Sequence, residues 1–294
     1  MNVLITGALG HIGSKLIRSL PEFFNICAVD NLATNRYCSL FNLNRDINFI
    51  EDHFINISED VLESANIIIH LAAVTDAVNS SDDGIEETNV YLTKAFIDNI
   101  KQVSEAKVIF PSSTSVYGVA TDVVTEDDDG FLNPQSLYAE AKIEIENYIK
   151  SSGINYTILR LATIFGVSPG IRFHTAINKF CYQAAMGQKL TVWKQNYDQF
   201  RPYLGLNDCS QAFCRSVLDI NTDGQVFNVL SDNYKLSDII TYMKKVIYFE
   251  VEMINTPLLN QYSYKVSSEK FKNLGFIPKD HLNSAIKNTV GLFK

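Results

Sequence analysis

Near its amino terminus the chain reads Val3-Leu4-Ile5-Thr6-Gly7-Ala8-Leu9-Gly10-His11-Ile12-Gly13, an apolar run that leads into three spaced glycines. This pattern predicts a strand, a tight loop and a helix, and it decides the fold. Glycine lets the backbone turn sharply, approach a pyrophosphate and pack the following helix close to the sheet. The free N–H groups at the start of that helix would face the phosphates. The stretch therefore predicts a dinucleotide-binding site.

A second apolar run, Asn25 to Val29, ends at Asp30. In a dinucleotide-binding unit a carboxylate about twenty residues beyond the glycine turn accepts hydrogen bonds from the ribose hydroxyls. Such a carboxylate would repel a 2′-phosphate, so NAD is favoured over NADP. Because a glycine triplet alone is also found in ordinary strand–turn–helix units, the position of Asp30 strengthens the prediction.

Composition narrows the class of protein. A chain of 294 residues with 46% hydrophobic content suits one large α/β unit or two closely joined lobes. The net charge of −8 argues against a nucleic-acid partner, and no apolar run is long enough to predict a membrane span. Met1 leads directly into the first strand, which predicts a mature, cytoplasmic protein. The cysteines and histidines show no metal-ligand spacing, so no metal is expected.

Apolar runs alternate with amphipathic stretches along the chain, which predicts an α/β fold with a doubly wound parallel sheet of the Rossmann type. The predicted strands are Asn2–Ile5, Ile26–Val29, Asn48–Ile50, Ile67–Leu71, Lys107–Pro111, Thr157–Arg160 and Val226–Val229. The main predicted helices are His11–Leu20, Ile85–Ile100, Leu137–Ser151, Thr175–Gly187 and Leu236–Val246. We expect an NAD-binding domain in residues 1–165 and about 203–232, and a smaller substrate lobe in about 166–202 and 233–294. The acidic run 126–129 is interpreted as a solvated loop.

Tyr138 and Lys142 stand four residues apart on a predicted helix and so share one face. A free phenol has a pKa of about 10, too high for a base at neutral pH, but a nearby ammonium favours the phenolate. Lys142 is therefore expected to activate Tyr138. The spacing is common on helix surfaces, and it gains meaning here from the glycine turn in the same chain.

Hydroxyl side chains follow the predicted strand Lys107–Pro111 in the run Ser112-Ser113-Thr114-Ser115. This run lies at the carboxyl end of a strand, where sheets of this type bind ligands. Its hydroxyls are expected to hold a reacting substrate oxygen beside Tyr138, although an ordinary Ser/Thr turn is the alternative.

Together these features resemble the extended short-chain dehydrogenase/reductase family, and within it the NAD-dependent epimerases and dehydratases of nucleotide-linked sugars. The resemblance spans nearly the whole chain. Its motifs are TGALGHIG, Asp30-Asn31-Leu32, His70-Leu71-Ala72-Ala73, Asn89, SSTSVYG, the Tyr138 and Lys142 pair, Arg160, Phe165-Gly166, and the segment between Arg201 and Asp208. It implies a nucleotide-diphosphate sugar as substrate and a homodimer formed through the helices Ile85–Ile100 and Leu137–Ser151.

The resemblance also implies individual roles. Ser113 matches the catalytic hydroxyl, with Ser112 and Ser115 as alternatives, Tyr138 matches the base, and Lys142 its activator and a cofactor ligand. The residues assigned to NAD, besides Tyr138 and Lys142, are Gly7, Gly10, His11, Ile12, Gly13, Asp30, Asn31, Asn35, His53, Phe54, Leu71, Ala72, Ala73, Val74, Asn89, Ser112, Leu161 and Thr163. The residues assigned to the substrate are Thr114, Ser115, Thr163, Arg172, Asn178 and Arg201.

Several positions depart from the family pattern. His53 or a shifted Asp52 must contact adenine where the family usually has an Asp. Thr114 and Ser115 replace the Asp-Glu pair of 4,6-dehydratases and do not titrate in the required range, which argues against that reaction. Tyr262 stands where many members have a diphosphate-binding arginine. Arg172 is the expected replacement, and an exposed loop cation is the alternative reading of that residue.

The first hypothesis is thus an NAD-dependent nucleotide-sugar 4-epimerase that acts through a transient 4-keto sugar. The second is a dehydrogenase or 4-ketoreductase acting at C4 of a nucleotide-linked hexose or heptose, because the run around Arg172 resembles oxidoreductases of GDP-linked heptoses. A non-catalytic NAD-binding protein is the third, and the intact set of Ser113, Tyr138 and Lys142 argues against it.

Overall fold

A computed structural model describes residues 1–75, 82–120, 122–127, 129–255 and 263–294 of the chain. The strands are β1 Asn2–Thr6, β2 Asn25–Asp30, β3 Asn48–Glu51, β4 Ile67–His70, β5 Lys107–Ser113, β6 Val123–Val124, β7 Tyr156–Leu161, β8 Thr163–Phe165, β9 Leu190–Trp193, β10 Phe200–Gly205, β11 Gln225–Val229, β12 Asp232–Lys235, β13 Val251–Ile254 and β14 Lys265–Val266. The helices are α1 His11–Ser19, α2 Glu59–Ser64, α3 Asp82–Glu86, α4 Thr93–Val103, α5 Leu137–Ser152, α6 Ala176–Ala185, α7 Leu206–Leu218, α8 Leu236–Lys244, α9 Glu269–Asn273 and α10 Leu282–Gly291. Within these residues, no helix has both the length and the apolar character needed to cross a membrane.

Seven strands form a parallel sheet in the order β11-β7-β5-β4-β1-β2-β3. The order reverses at β1, whose Thr6 pairs with Val29 of β2 on one side and His70 of β4 on the other. Ligands of such sheets bind at this reversal, in the crevice outside the carboxyl ends of the strands. The predicted doubly wound parallel sheet is confirmed.

Both faces of the sheet are buried, as parallel sheets require. Side chains alternate between the faces, so Val3 and Ile5 join one apolar cluster, and Leu4 joins the other. The first cluster includes residues of α1 and α7, and the second includes residues of α4 and α5. The strand ends, and with them the crevice, are therefore held by cores on both sides.

A third apolar cluster lies apart from the main sheet. It draws on residues between 165 and 203 and between 239 and 290, among them Phe165, Ile177, Ile239 and Ile286. Two small sheets accompany it, one of β8, β10 and β12 and one of β9 and β13. The residue ranges given above for the two lobes stay a prediction.

The predicted continuous helix Ile85–Ile100 is wrong in one respect, because a π-helical turn at Glu87–Leu92 separates α3 from α4. The side chain of Asn89, within this turn, accepts a hydrogen bond from Val74 N at 2.8 Å and donates one to Val74 O at 2.7 Å. The wider turn thus ties the helix to the chain that follows β4. Periodicity alone does not reveal such an insertion, since the apolar face continues through it.

Candidate active site

A cavity of about 760 Å³ lies at the carboxyl ends of the central strands. It is lined by most of the residues that the sequence predicted: Gly7, Gly10, His11, Ile12, Gly13, Asp30, Asn31, His53, Phe54, Leu71, Ala72, Ala73, Val74, Ser112, Ser113, Thr114, Ser115, Tyr138, Lys142, Leu161, Thr163, Arg172 and Arg201. The topology therefore collects side chains that are distant in sequence into one site.

The glycine turn leaves no room for side chains. Gly7 has a φ of +64°, and a Cβ atom there would lie 2.6 Å from Ala72 N, on the neighbouring chain after β4. At Gly13 a Cβ atom would lie 2.5 Å from Ala8 O. Close backbone approach of this kind, at the start of helix α1, fits the pyrophosphate of a dinucleotide.

Asp30 is fixed by the backbone around it. Its Oδ2 accepts a hydrogen bond from Leu9 N at 2.9 Å, and its Oδ1 accepts one from Leu32 N at 2.9 Å. A carboxylate has about four acceptor sites, so it retains capacity for ribose hydroxyls. His53, which was predicted near adenine, lines the same cavity together with Asp52 and Phe54.

The reactive groups sit at the other end of the cavity. The Oγ of Ser136 accepts a hydrogen bond from Ala139 N at 3.3 Å and caps α5, whose first turns carry Tyr138 and Lys142. Ser113 lies at the end of β5, where its Oγ accepts hydrogen bonds from Ser115 N at 3.2 Å and Ser115 Oγ at 2.9 Å. Strand β5 and helix α5 thus bring the three predicted catalytic residues to one cavity.

Lys142 is buried and donates a hydrogen bond to Pro111 O at 2.8 Å. Its Nζ lies 4.6 Å from the ring centre of Phe110 and 5.6 Å from that of Tyr138. Burial lowers the pKa of Lys142 to about 8, against the opposing effect of the Glu146 carboxylate. Because this pKa lies close to neutral pH, small changes in the surroundings of Lys142 alter the fraction of the side chain that carries a proton.

Burial also raises the pKa of Tyr138, and the charge that opposes this is Arg172. The Arg172 charge thus favours the Tyr138 phenolate. Activation of Tyr138 by Lys142 stays a prediction for the protein with its ligands bound.

Arginines lie near the reactive end. Arg172 contacts the Thr75 hydroxyl and the His174 ring. Arg201, on β10, places its guanidinium 5.6 Å from the ring centre of Tyr264. In an acidic protein, these cations can hold a diphosphate, because guanidinium matches phosphate geometry.

Tyr264 joins Arg201 to the catalytic turn, since its hydroxyl lies 3.4 Å from Thr114 Oγ1. The sequence analysis does not single out Tyr264, although it lies two residues after Tyr262, the position where many family members have a diphosphate-binding arginine. Tyr262 itself lies outside the described residues. Further lining residues that the sequence missed are Arg36, Thr75, Thr88, His174, Thr175 and Tyr264.

Three predicted site residues do not line the cavity: Asn35, Asn89 and Asn178. Asn35 adopts a φ of +53° in a turn, and its N–H donates to Leu32 O at 2.8 Å. The amide of Asn178 is buried, accepts from Gly166 N at 3.2 Å and donates to Arg172 O at 3.0 Å. Asn178 and Asn89 therefore position the backbone beside the cavity, since their amides are taken by backbone groups.

Residues 166–170, which we name the strap, cross over the start of α1. Gly166 O lies 2.9 Å from His11 Nε2, and Gly170 N donates to Ser14 Oγ at 3.0 Å. A Cβ atom at Gly170 would lie 2.4 Å from Leu9 O. Burial lowers the pKa of His11 to about 4, so the ring is neutral at pH 7. The strap packs on the glycine turn and leads directly to Arg172.

Arg36 is the missed residue with the clearest relation to the glycine turn. Its Nη1 lies 4.0 Å from the position that a Cβ atom would take at Gly10. Burial lowers the pKa of Arg36, and the nearby Asp30 carboxylate acts in the opposite direction. The adjoining loop is fastened by Ser39, whose Oγ donates to Leu9 O at 2.8 Å. Arg36 is therefore held where a pyrophosphate would approach.

We expect Arg36→Ala to weaken NAD binding by about 10-fold to 100-fold, the range for losing one charge-assisted hydrogen bond. Isothermal titration calorimetry of the cofactor-free protein measures this change. Arg36→Lys keeps the positive charge but not the planar guanidinium with its paired donors, so it should lose less NAD affinity than Arg36→Ala. Equal NAD affinity in the Arg36→Ala variant and the unaltered protein would contradict the assignment.

The residues present fit NAD. In addition to the cradle at Gly7, the buried Ser112 hydroxyl, which faces this cavity, has no hydrogen-bond partner within the described part of the chain. The sequence profile of the NAD dependent epimerase/dehydratase family matches residues 3–229. The chain belongs to this NAD-dependent epimerase/dehydratase family. Its cofactor is NAD.

Several known proteins are similar to nearly the whole of this chain. The human dTDP-D-glucose 4,6-dehydratase is 28% identical over 321 residues, covering 99% of this chain and 89% of the relative. The structure of UDP-glucuronic acid 4-epimerase from Bacillus cereus matches with a TM-score of 0.86 and 23% identity, covering 100% of this chain and 99% of that one. UDP-N-acetylglucosamine 4-epimerase from Methanobrevibacter ruminantium M1 matches with a TM-score of 0.87 and 22% identity, covering 99% and 97%. These two structures share the fold.

Proposed function

We propose that this protein is an NAD-dependent 4-epimerase of nucleotide-diphosphate sugars. The observation that carries the proposal is the single cavity in which a dinucleotide cradle at Gly7 meets Ser113, Tyr138 and Lys142. Such a set moves a proton on a carbinol oxygen beside a hydride acceptor. The arginines Arg172 and Arg201 at the same end supply charge for a diphosphate.

The lining supports epimerisation over dehydration. The two residues after Ser113 are Thr114 and Ser115, which cannot act as an acid and base pair near neutral pH. Among the described residues that line the cavity, the carboxylates are Asp30 and Asp52, and both accompany the predicted adenosine contacts. Elimination of water needs titrating groups near the sugar, so the reaction of the dehydratase relative is not proposed here.

The glycine turn at Gly7 and the Asp30 carboxylate would hold NAD, and the bound cofactor would supply a group that can take up a hydride from the sugar C4 carbon and return it. Tyr138, as phenolate, accepts the proton of the C4 hydroxyl and later gives it back. Ser113 holds the same oxygen by a hydrogen bond, and Lys142 supplies positive charge beneath the site. Arg172 and Arg201 hold the diphosphate, which leaves the sugar free to present its other face.

The proposal is tested by incubating the purified protein with UDP-, dTDP-, GDP- and CDP-linked sugars. Absorbance of NADH and the NMR spectrum of the sugar are recorded together. We expect a C4 epimer to form with no accumulation of NADH. Accumulating NADH or a keto sugar would instead favour the dehydrogenase or ketoreductase, and an unchanged panel with NAD bound would favour the non-catalytic protein.

We also propose a homodimer through helices α4 and α5. Lys94 on α4 pairs with Glu144 on α5 at 2.6 Å, and the two helices form one surface. Tyr91, 60% exposed, lies in the π-helical turn before α4, and Leu137, 46% exposed, is the first residue of α5. Large exposed apolar side chains of this kind suit an interface. The cytoplasmic location likewise stays a prediction.

A further inference from the structure

A network of buried, hydrogen-bonded polar side chains lies behind the active site. Arg160 on β7 has 0% of its surface exposed, and Glu146 on α5 has 1%. Arg160 Nε donates to Glu146 Oε1 at 3.0 Å, and Arg160 Nη2 donates to Oε2 at 2.7 Å. Arg160 Nη1 donates to the hydroxyl of Tyr117 at 3.0 Å. The pair is thus bidentate, and a third donor of the guanidinium, on Nη1, reaches another element.

The network continues to β11, which is an edge strand of the sheet. Tyr117 donates to Asn228 Oδ1 at 2.7 Å, and Asn228 is held in turn by the carboxylate of Glu126, through its N at 2.9 Å and its Nδ2 at 3.1 Å. Glu126 is buried, so the interpretation of the acidic run as a solvated loop is wrong for this residue, whereas the neighbouring Asp127 is exposed. The burial of Glu126 could not be predicted from the local sequence, because its partner Asn228 lies on β11.

Helix α5, which carries Tyr138 and Lys142, and the turn that follows Ser113 are both attached to this network. Glu146 lies one helical turn beyond Lys142, on the helix that also carries Tyr138. Tyr117 closes the 3₁₀ turn Thr114–Tyr117, which begins directly after Ser113. The Arg160 guanidinium therefore connects helix α5 with the turn that holds Ser113.

Stability alone does not explain such a pair. Desolvation of two buried ions offsets most of their attraction, and well-packed apolar replacements often fold at least as well. A role in placing or charging neighbouring groups is the better account.

We propose that Glu146, held by Arg160, which in turn contacts Tyr117, is a positioning residue for the active site. It fixes helix α5 against the turn of Ser113, and its carboxylate supplies the negative charge behind Lys142. The kinetic part of this inference rests on the proposed function, whereas the electrostatic part does not.

The charge on Lys142 depends on few described groups. Burial lowers its pKa to about 8, and Glu146 opposes this effect. Tyr138 faces it from the same helix and His70 from β4. Two cations lie beyond Glu146, Arg160 on β7 and Lys150 on α5, whose Nζ is 3.8 Å from Glu146 Oε2. Burial lowers the pKa of His70 to about 3, so that ring is uncharged at pH 7. Removing the Glu146 charge leaves burial unopposed, and Lys142 then loses its proton at lower pH.

The test is Glu146→Gln, which keeps the size of the side chain and removes its charge. We expect the titration midpoint of Lys142 Nζ to fall by about one pH unit, the size of a close charge effect. Nitrogen-15 NMR of lysine-labelled protein measures it without substrate or cofactor, with the signal assigned through Lys142→Arg. The alkaline limb of the kcat profile should move by the same amount. An unchanged midpoint would overturn the electrostatic role.

Glu144→Gln is the matched control, since Glu144 lies on the same helix but pairs with Lys94 at the surface. It should leave the Lys142 midpoint in place. Tyr117→Phe tests the geometric role, because it removes the hydroxyl bridge and leaves the carboxylate. We expect kcat to fall by about 10-fold with KM and the Lys142 midpoint unchanged, and an unaltered kcat would overturn this role.

Glu146→Gln also leaves Arg160 without its carboxylate partner and can fail to fold. In that case the double change Glu146→Leu with Arg160→Met removes both charges and keeps an apolar core. A folded double variant with the original Lys142 midpoint and kcat would overturn the proposal, and a lowered midpoint with reduced kcat would support it. If the unaltered protein converts no sugar but the Lys142 midpoint still moves in Glu146→Gln, the proposed function fails and the electrostatic inference stands.

Discussion

Tyr138→Phe is expected to reduce turnover of the nucleotide sugar by about 10² to 10⁴-fold, the range for losing a positioned general base. The change removes one oxygen and keeps the ring that lies 5.6 Å from Lys142 Nζ. Because the cradle at Gly7 and the Asp30 carboxylate are untouched, the affinity for NAD should change little. Sugar NMR measures turnover, and calorimetry measures cofactor binding.

Tyr148→Phe is the control for this result. It makes the same substitution on the same helix, where the Tyr148 hydroxyl donates to Asp98 at 2.6 Å away from the cavity. Its turnover should remain close to that of the unaltered protein. If Tyr138→Phe also kept most of its turnover, the base would have to be sought elsewhere, and the mechanism proposed above would be wrong.

Gly7→Ala is expected to abolish measurable NAD binding and to destabilise the fold. The backbone at Gly7 has a φ of +64°, which costs a side-chain-bearing residue about 1–3 kcal/mol. The new methyl group would also meet Ala72 N at 2.6 Å, and backbone on β1 and after β4 would have to separate. That separation distorts the surface on which the pyrophosphate lies. Urea unfolding and NAD titration measure the two effects.

Gly153→Ala separates backbone strain from the steric effect. Gly153 ends helix α5 with a φ of +83°, and a Cβ atom there would have nothing within 4 Å. This variant should lose about 1 kcal/mol and bind NAD normally. If Gly7→Ala were no worse than Gly153→Ala, the glycine turn would not be the cradle that we describe.

The fold and most of the site could be predicted because both depend on local patterns. Continuous apolar runs, amphipathic helices and a glycine turn define a parallel sheet, and such a sheet brings the carboxyl ends of its strands together. Residues at the carboxyl ends of strands, such as Asp30 of β2 and Ser113 of β5, therefore lie in one cavity.

The roles of the asparagines could not be predicted in this way. A side-chain amide can form hydrogen bonds with a ligand or with backbone groups equally well. Only the fold shows that Asn89 bonds to the backbone of Val74 and Asn178 to the backbone of Gly166. The same limit applies to Arg36 and Tyr264, whose neighbours in space are distant in sequence. For Glu126, the acidic run predicted exposure to solvent, and its partner Asn228 on β11 reversed that expectation.

The strap has a consequence for measuring affinity. The strap rests on the start of α1, where the dinucleotide is expected, at both Gly166 and Gly170, and Arg172 lines the cavity two residues past Gly170. A ligand that moves the strap from the side of the glycine turn changes the binding free energy of a ligand held by Arg172, and this coupling acts equally in both directions. A dissociation constant for the sugar nucleotide thus describes one particular cofactor occupancy, so the amount of NAD carried by each preparation belongs beside every such value.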